Sequence, residues 1–131
     1  MGAVGCSSGT APDRVLPVEL LTTPGVLGPI PARVTTSAPR QVEVVVGFVA
    51  NVPCRESAAT ASITPGTLVL VITTNVGDGA CSQTVTPFRF AATVREVPAG
   101  SVRVLVRIRS VEAAGESVFD QAAGEQVLIV D

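Results

Sequence analysis

The sequence lacks histidine, lysine, tryptophan and tyrosine, and these absences exclude several kinds of chemistry. Without histidine, the chain cannot form a Ser-His-Asp or Cys-His catalytic arrangement or a histidine-ligated metal site. Four phenylalanines are its only aromatic residues, which removes most of the stacking surface that sugars and single-stranded nucleic acids need. A formal net charge of -2 also argues against a strongly electropositive nucleic-acid binder.

The residues that are present favour one folded domain rich in strands. Hydrophobic residues make up 47% of the 131 residues and charged residues 15%, so the chain is not intrinsically disordered. Valine and threonine are abundant, and both are well suited to a pleated surface. The small and polar residues at the start of the chain have little to bury. We therefore expect residues 1–14 to be a flexible N-terminal tether and residues 15–131 to form the domain.

Alternation of apolar and polar side chains predicts where the strands lie. It is regular at 41–50, 88–97 and 101–110, whereas 67–74 is apolar on both faces, as is typical of a central strand. Shorter or weaker strands are expected at 16–22, 33–36, 80–86, 116–121 and 126–130. Short strands separated by frequent turn signals predict an all-β fold, an antiparallel β-sandwich of about seven to nine strands.

The last third of the chain has a particular order of strands and turns. A strand with Phe88 and Phe90 at alternate positions leads into the turn Val97-Pro98-Ala99-Gly100. A long valine-rich strand follows, and the last strand ends in Val-Leu-Ile-Val. This order resembles the final strands of immunoglobulin-like and fibronectin type III-like domains, although the core tryptophan and the corner tyrosine of those families are missing. The resemblance implies an Ig-like sandwich over residues 15–131.

Cys54 and Cys81 lie at the edges of strand-like segments. We predict that they form a disulfide, which implies an oxidising, extracytoplasmic compartment such as the periplasm or the cell surface. The alternative is a pair of buried free thiols.

The third cysteine, Cys6, follows Ala3-Val4-Gly5 and precedes Ser7-Ser8-Gly9-Thr10. This context resembles the lipobox of bacterial lipoproteins and the tether behind it. In that family the cysteine carries the lipid, so the resemblance implies acylation of Cys6 and contact with a membrane. The alternative is an incidental thiol in a terminal segment.

Five arginines form rows on two successive predicted strands. If both strands lie in one sheet, their guanidinium groups converge on a surface for anions or for a partner. If the chain instead crosses between sheets at residues 98–100, the rows lie on opposite outer faces. A third interpretation is a solvated polar face that discourages edge pairing. The first row is Arg89 and Arg95, and the second is Arg103, Arg107 and Arg109.

Two further segments, Val26–Pro31 and Gln126–Val130, are apolar for their positions. Each is either part of the core or, if exposed, a docking stripe that adds a strand of a partner protein. The segment 75–79 is interpreted as a hairpin turn rather than a calcium loop. The sequence contains no phosphate-binding glycine loop.

We therefore expect a non-catalytic, extracytoplasmic binding or structural module without cofactor, metal or nucleic acid. Its expected role is that of an accessory subunit that docks on a membrane-associated or cell-envelope protein complex. The alternative is a small secreted inhibitor or ligand-binding module that uses the loops at one end of the sandwich. An enzyme would require a cleft with converging carboxylates.

Overall fold

The computed structural model describes residues 14–25, 31–50, 55–76, 86–111 and 118–131. These residues form nine strands in two sheets, so the predicted all-β sandwich is confirmed. The five-stranded sheet has the order β9-β8-β6-β5-β1, and the four-stranded sheet has the order β2-β7-β4-β3. The strands are β1 Arg14–Leu16, β2 Val18–Pro24, β3 Arg33–Thr35, β4 Gln41–Ala50, β5 Arg55–Thr64, β6 Thr67–Val76, β7 Thr86–Arg95, β8 Gly100–Val111 and β9 Val118–Val130.

The sheets are antiparallel except for one pair, β6 and β8, which run parallel. In the four-stranded sheet β4 lies beside β7, while the β5–β6 hairpin between them in sequence belongs to the other sheet. The chain also changes sheets at Pro17, between β1 and β2, where the Arg95 N–H donates to the Pro17 carbonyl at 3.0 Å. The chain changes sheets again at residues 96–99, between β7 and β8.

The core lies between the sheets and consists of the side chains that the alternation predicts to be buried. Val42, Val44 and Val46 of β4 are at most 1% exposed, and every second residue of β8 from Val102 to Ile108 is buried. At the centre, the ring of Phe90 lies 6.3 Å from each of two other phenylalanine rings. The opposite face of each of these strands points away from the core.

One end of the sandwich is closed by backbone contacts around two residues with positive φ, Arg40 (59°) and Glu96 (61°). The Arg40 N–H donates to the carbonyl of Asp131 at 2.8 Å, and the Arg40 carbonyl accepts from the N–H of the buried Val97 at 3.0 Å. These bonds join the β3–β4 turn, the crossing from β7 to β8 and the residue after β9. They offset a backbone cost of about 1–2 kcal/mol at each residue.

Three parts of the strand prediction differ from the structure. The single strand predicted at 16–22 is divided between β1 and β2, which lie in different sheets, because the chain changes sheets at Pro17, a residue without an N–H for the ladder. β5 was not predicted, because seven of its ten residues are alanine, serine or threonine, which give little hydrophobic contrast. β9 was predicted as two strands broken at Gly124, but it is continuous, and the register instead shifts between Ala122 and Gly124. A bulge accommodates one extra residue without ending the strand.

The described chain begins within the predicted tether, because Arg14 already pairs with Ile63 in the β1–β5 ladder. Residues 1–13 of that tether lie outside the described residues, as does the predicted strand at 80–86 apart from Thr86. Among the described residues, no helix has the length and hydropathy required to cross a bilayer.

Candidate functional site

The structure divides the five predicted arginines between the two sheets. Arg89 and Arg95 lie on β7, whereas the other three lie on β8. The interpretation in which five guanidinium groups converge is therefore wrong, because the chain crosses between sheets after residue 95. The two rows lie on opposite outer faces, since the alternate residues of both strands fill the core.

Two of these arginines are held by carboxylates on neighbouring strands. Arg95 forms an ion pair with Glu19 of β2, and Arg103 pairs with Glu125 of β9 at 2.6 Å. All four side chains are about half exposed or more, so each pair contributes about 0–1 kcal/mol. Their charges are nevertheless compensated locally, which makes Arg95 and Arg103 poor sites for an external anion.

Arg89 lies near Arg33, an arginine of β3 that the sequence did not single out. Arg89 is the Cα partner of Gly47 on β4, and Arg33 is the partner of Val45 on the other side of that strand. Two strand spacings and a two-residue offset separate the two arginine Cα atoms by about 12 Å. Because Gly47 has no side chain, β4 presents only Val45 at this point between the two arginines.

Arg33 and Arg89 both line a groove of about 390 Å³, a volume at the lower end of the range of about 300–1,000 Å³ typical of small-ligand sites. Neither arginine has a carboxylate within ion-pair distance among the residues that the structure describes. Among the described residues the lining contains no acidic side chain and consists of Pro31, Ala32, Arg33, Val45, Arg89 and Gln126.

A cluster of hydrogen bonds around Glu43 fixes the connection from β3 to β4, close to the groove. The Ser37 Oγ donates to the Glu43 carboxylate at 2.6 Å, the Gln41 Nε2 at 2.9 Å and the Thr35 Oγ1 at 3.5 Å. The bonds from Ser37 and Gln41 are the main reason that the pKa of Glu43 lies below its ordinary value. This cluster helps to hold β3, and therefore Arg33, against β4.

The segment Gln126–Val130 lies on the edge strand β9 and combines the two roles that the sequence left open. Val130 is 2% exposed and Leu128 packs against the core. Val127 and Ile129 point outward and are 61% and 64% exposed. One face of the segment is therefore core, and the other is an exposed apolar stripe. Of the other segment, residues 26–30 lie outside the described part of the chain.

The open side of β9 makes few backbone bonds to the rest of the described chain. The Ala123 carbonyl accepts from the Ala32 N–H at 3.4 Å, and just beyond the strand the Asp131 carbonyl accepts from Arg40. Between these points, residues 124–130 form backbone bonds with described residues only in the β8–β9 ladder. With respect to the described residues, about seven residues of edge, roughly 23 Å, are thus open to another strand.

Cys6, Cys54 and Cys81 lie outside the described residues, as do the segments 51–54, 77–85 and 112–117 that would supply loops at the ends of the sandwich. Within the ranges that are described, no three side chains of the metal-ligating types lie close enough to hold an ion.

Comparisons with protein-family models, with curated proteins and with solved structures found no match for this chain. The features of the described chain that bear on function are the edge of β9 and the groove at Arg33 and Arg89.

Proposed function

We propose that this chain is a non-catalytic binding module that attaches to a partner protein through its last strand, β9. The observation that carries the proposal is the 61% and 64% exposure of Val127 and Ile129 on the open edge of a sheet. Single exposed apolar residues are common on protein surfaces. Here two of them occupy alternate positions on one face of the edge strand, where a partner strand would cover both.

A long open edge is a template for pairing with another chain, and proteins usually protect it with charge, proline or a covering segment. The exposed face of β9 after the bulge has only one charged side chain, Glu125, whose charge is compensated by Arg103. An added strand would gain main-chain hydrogen bonds along the edge and would bury the two aliphatic side chains. Complete burial of such a side chain contributes at most about 1.5–3 kcal/mol.

We further propose that the module is Ig-like and related to fibronectin type III-like domains. The pairing of β4 with β7, and of β5 with β6 in the other sheet, matches the arrangement of strands C, F, D and E in Ig domains. The likeness is limited to these four strands, because β8 leaves β7 and pairs in parallel with β6, whereas strand G of an Ig domain stays beside strand F.

The proposed setting is extracytoplasmic, with the module acting as an accessory subunit of a membrane-associated or cell-envelope complex. This proposed setting depends on the Cys54–Cys81 disulfide and on a lipid at Cys6. Intact mass with and without reductant would test the disulfide, which is expected to lower the mass by about 2 Da. A lipid-sized mass increment located at Cys6 is expected from protein extracted from its native membrane. An unmodified Cys6 together with free thiols at the other two positions would contradict this setting.

The docking edge can be tested by affinity capture from native membranes in mild detergent. Wild-type bait is compared with the double variant V127K/I129K and with L21K. Leu21 is a matched control because it is 62% exposed on β2, an edge strand of the other sheet. We expect wild type and L21K to recover the same partner and V127K/I129K to lose it, with unchanged far-UV circular dichroism in all three.

Two results would contradict the proposal. Recovery of the same partner by all three baits would show that β9 is not the docking edge. A wild-type bait that is recovered only as a soluble monomer, or as a homodimer that V127K/I129K abolishes, would exclude a partner of different sequence.

A further inference from the structure

We propose that the groove at Arg33 and Arg89 binds a small organic anion. Its carboxylate or phosphate is held by the two guanidinium groups, and its apolar body lies against Val45, Ala32 and Pro31. This site lies apart from the exposed stripe of β9 and does not depend on the proposed docking of a partner.

The charge of the groove is the first reason. The chain as a whole has a net charge of -2, with 11 acidic and 9 basic residues. Within that acidic background Arg33 and Arg89 share one depression, and none of its described lining residues has a carboxylate. Guanidinium groups bind oxyanions through paired N–H donors. Two long side chains that start on either side of β4 can therefore converge on one oxyanion above Gly47.

The apolar walls are the second reason, because they favour an organic anion over an inorganic ion. Val45 and Ala32 are partly buried, and Pro31 adds a second apolar surface beside them. A small aliphatic chain would cover this hydrocarbon surface, whereas inorganic phosphate would leave it in contact with water. Gln126, on β9 of the other sheet, adds an amide to the rim, so the groove touches both sheets.

Two other cavities formed by described residues lack this combination. In one of them the guanidinium of Arg14 already donates to the Glu96 carbonyl at 3.5 Å. Another is lined by Arg95, which pairs with Glu19. The groove at Arg33 and Arg89 differs from both, because its two arginines lie beside an apolar wall and have no carboxylate partner among the described residues.

The test is an NMR titration that follows the Nε–Hε signals of the arginines and the methyl signals of Val45. The probes are hexanoate, hexyl phosphate, inorganic phosphate and the neutral hexanol, at constant ionic strength. We expect saturable shifts at Arg33, Arg89 and Val45 with hexanoate or hexyl phosphate, and weaker binding of inorganic phosphate. The tighter of the two amphiphilic probes identifies the headgroup, and hexanol is expected to leave the arginine signals unchanged.

Variants assign the binding to the two arginines. R33Q/R89Q should lower the affinity for the amphiphilic probes at least about tenfold. R109Q, which removes an exposed arginine from the other sheet, should leave that affinity unchanged. R33K keeps the charge but loses the planar fork, so intermediate binding is expected and the result does not depend on the double variant remaining folded.

The proposal would be overturned by equal, non-saturating shifts at all exposed arginines, or by binding that persists in R33Q/R89Q. If inorganic phosphate bound as tightly as hexyl phosphate, the apolar wall would contribute nothing to binding, and the proposal would equally be overturned. None of these outcomes affects the capture experiment on β9, so the two proposals succeed or fail separately.

Discussion

Substitution of Gly124 by alanine tests the contact between the bulged strand β9 and the residues that lead into β3. A Cβ atom at position 124 would lie 2.8 Å from the Cβ of Ala32, whereas carbon atoms normally approach to about 3.5–4.0 Å. Neither methyl group can rotate away, because a Cβ atom moves only with its backbone. The segment before Arg33 must therefore shift away from β9, which would lengthen the bond from the Ala32 N–H to the Ala123 carbonyl.

The expected size of the effect follows from two opposing contributions. Overpacking of this kind costs about 1–3 kcal/mol. Alanine also restricts the unfolded chain more than glycine does, which returns about 0.4–1 kcal/mol. We expect G124A to lower the free energy of unfolding by about 1–2 kcal/mol. In the background of A32G, which removes the opposing Cβ, the same change should cost nothing or should stabilise the protein.

The assay is urea unfolding of the wild type, both single variants and the double variant, with stabilities obtained by linear extrapolation. A coupling free energy of about 1–3 kcal/mol between positions 32 and 124 is expected. A matched control is G66A, since Gly66 has a φ of 82° and no neighbour within 4 Å of an added Cβ. It should destabilise through backbone strain and show no coupling to A32G. A coupling below about 0.5 kcal/mol for G124A would refute the steric argument.

Three further predictions concern the core and the surface bonds. F90A should lower the free energy of unfolding by about 3–5 kcal/mol in urea titrations, because Phe90 is 1% exposed at the centre of the core. S37A should raise the pKa of Glu43 toward its ordinary value of 4.5, measured by carboxyl ¹³C titration. In the wild type, ionised Glu43 stabilises the fold at a pH above its ordinary pKa, and this contribution is lost as the pH falls through the lowered pKa. R103Q, which breaks the half-exposed pair with Glu125, should change stability by less than about 1 kcal/mol and lose its effect in high salt.

The valine-rich strands could be predicted from the sequence because their pattern reports burial without reference to a partner strand. In β4 and β8 an apolar residue stands at every second position, and those residues form the core. β5 has no such contrast. Of its described residues only Ala61 and Ile63 are buried in the apolar core, and their neighbours in the sequence are small or polar. Its place in the sheet comes from pairing with β1 and β6, which no local pattern encodes.

The candidate sites depend even more on register. Residues 127–130 are all apolar, so alternation cannot say which of them face outward. That is decided by the ladder with β8, where Val127 pairs with the outward Arg103 and Leu128 with the buried Val102. Arg33 gave no signal in a proline-rich segment. Only the pairing of β3 and β7 on either side of β4 brings it near Arg89.

The edge strands of the five-stranded sheet, β1 and β9, are the first and last described strands of the chain. Four inter-strand spacings, about 19 Å, separate them, although Arg14 and Val130 lie at the same end of the sandwich. A purification handle or surface linker placed ahead of residue 14 would therefore leave the β9 side accessible. The same handle fused after Asp131, whose carbonyl is bonded to Arg40, would emerge beside the surface under test and would hinder capture.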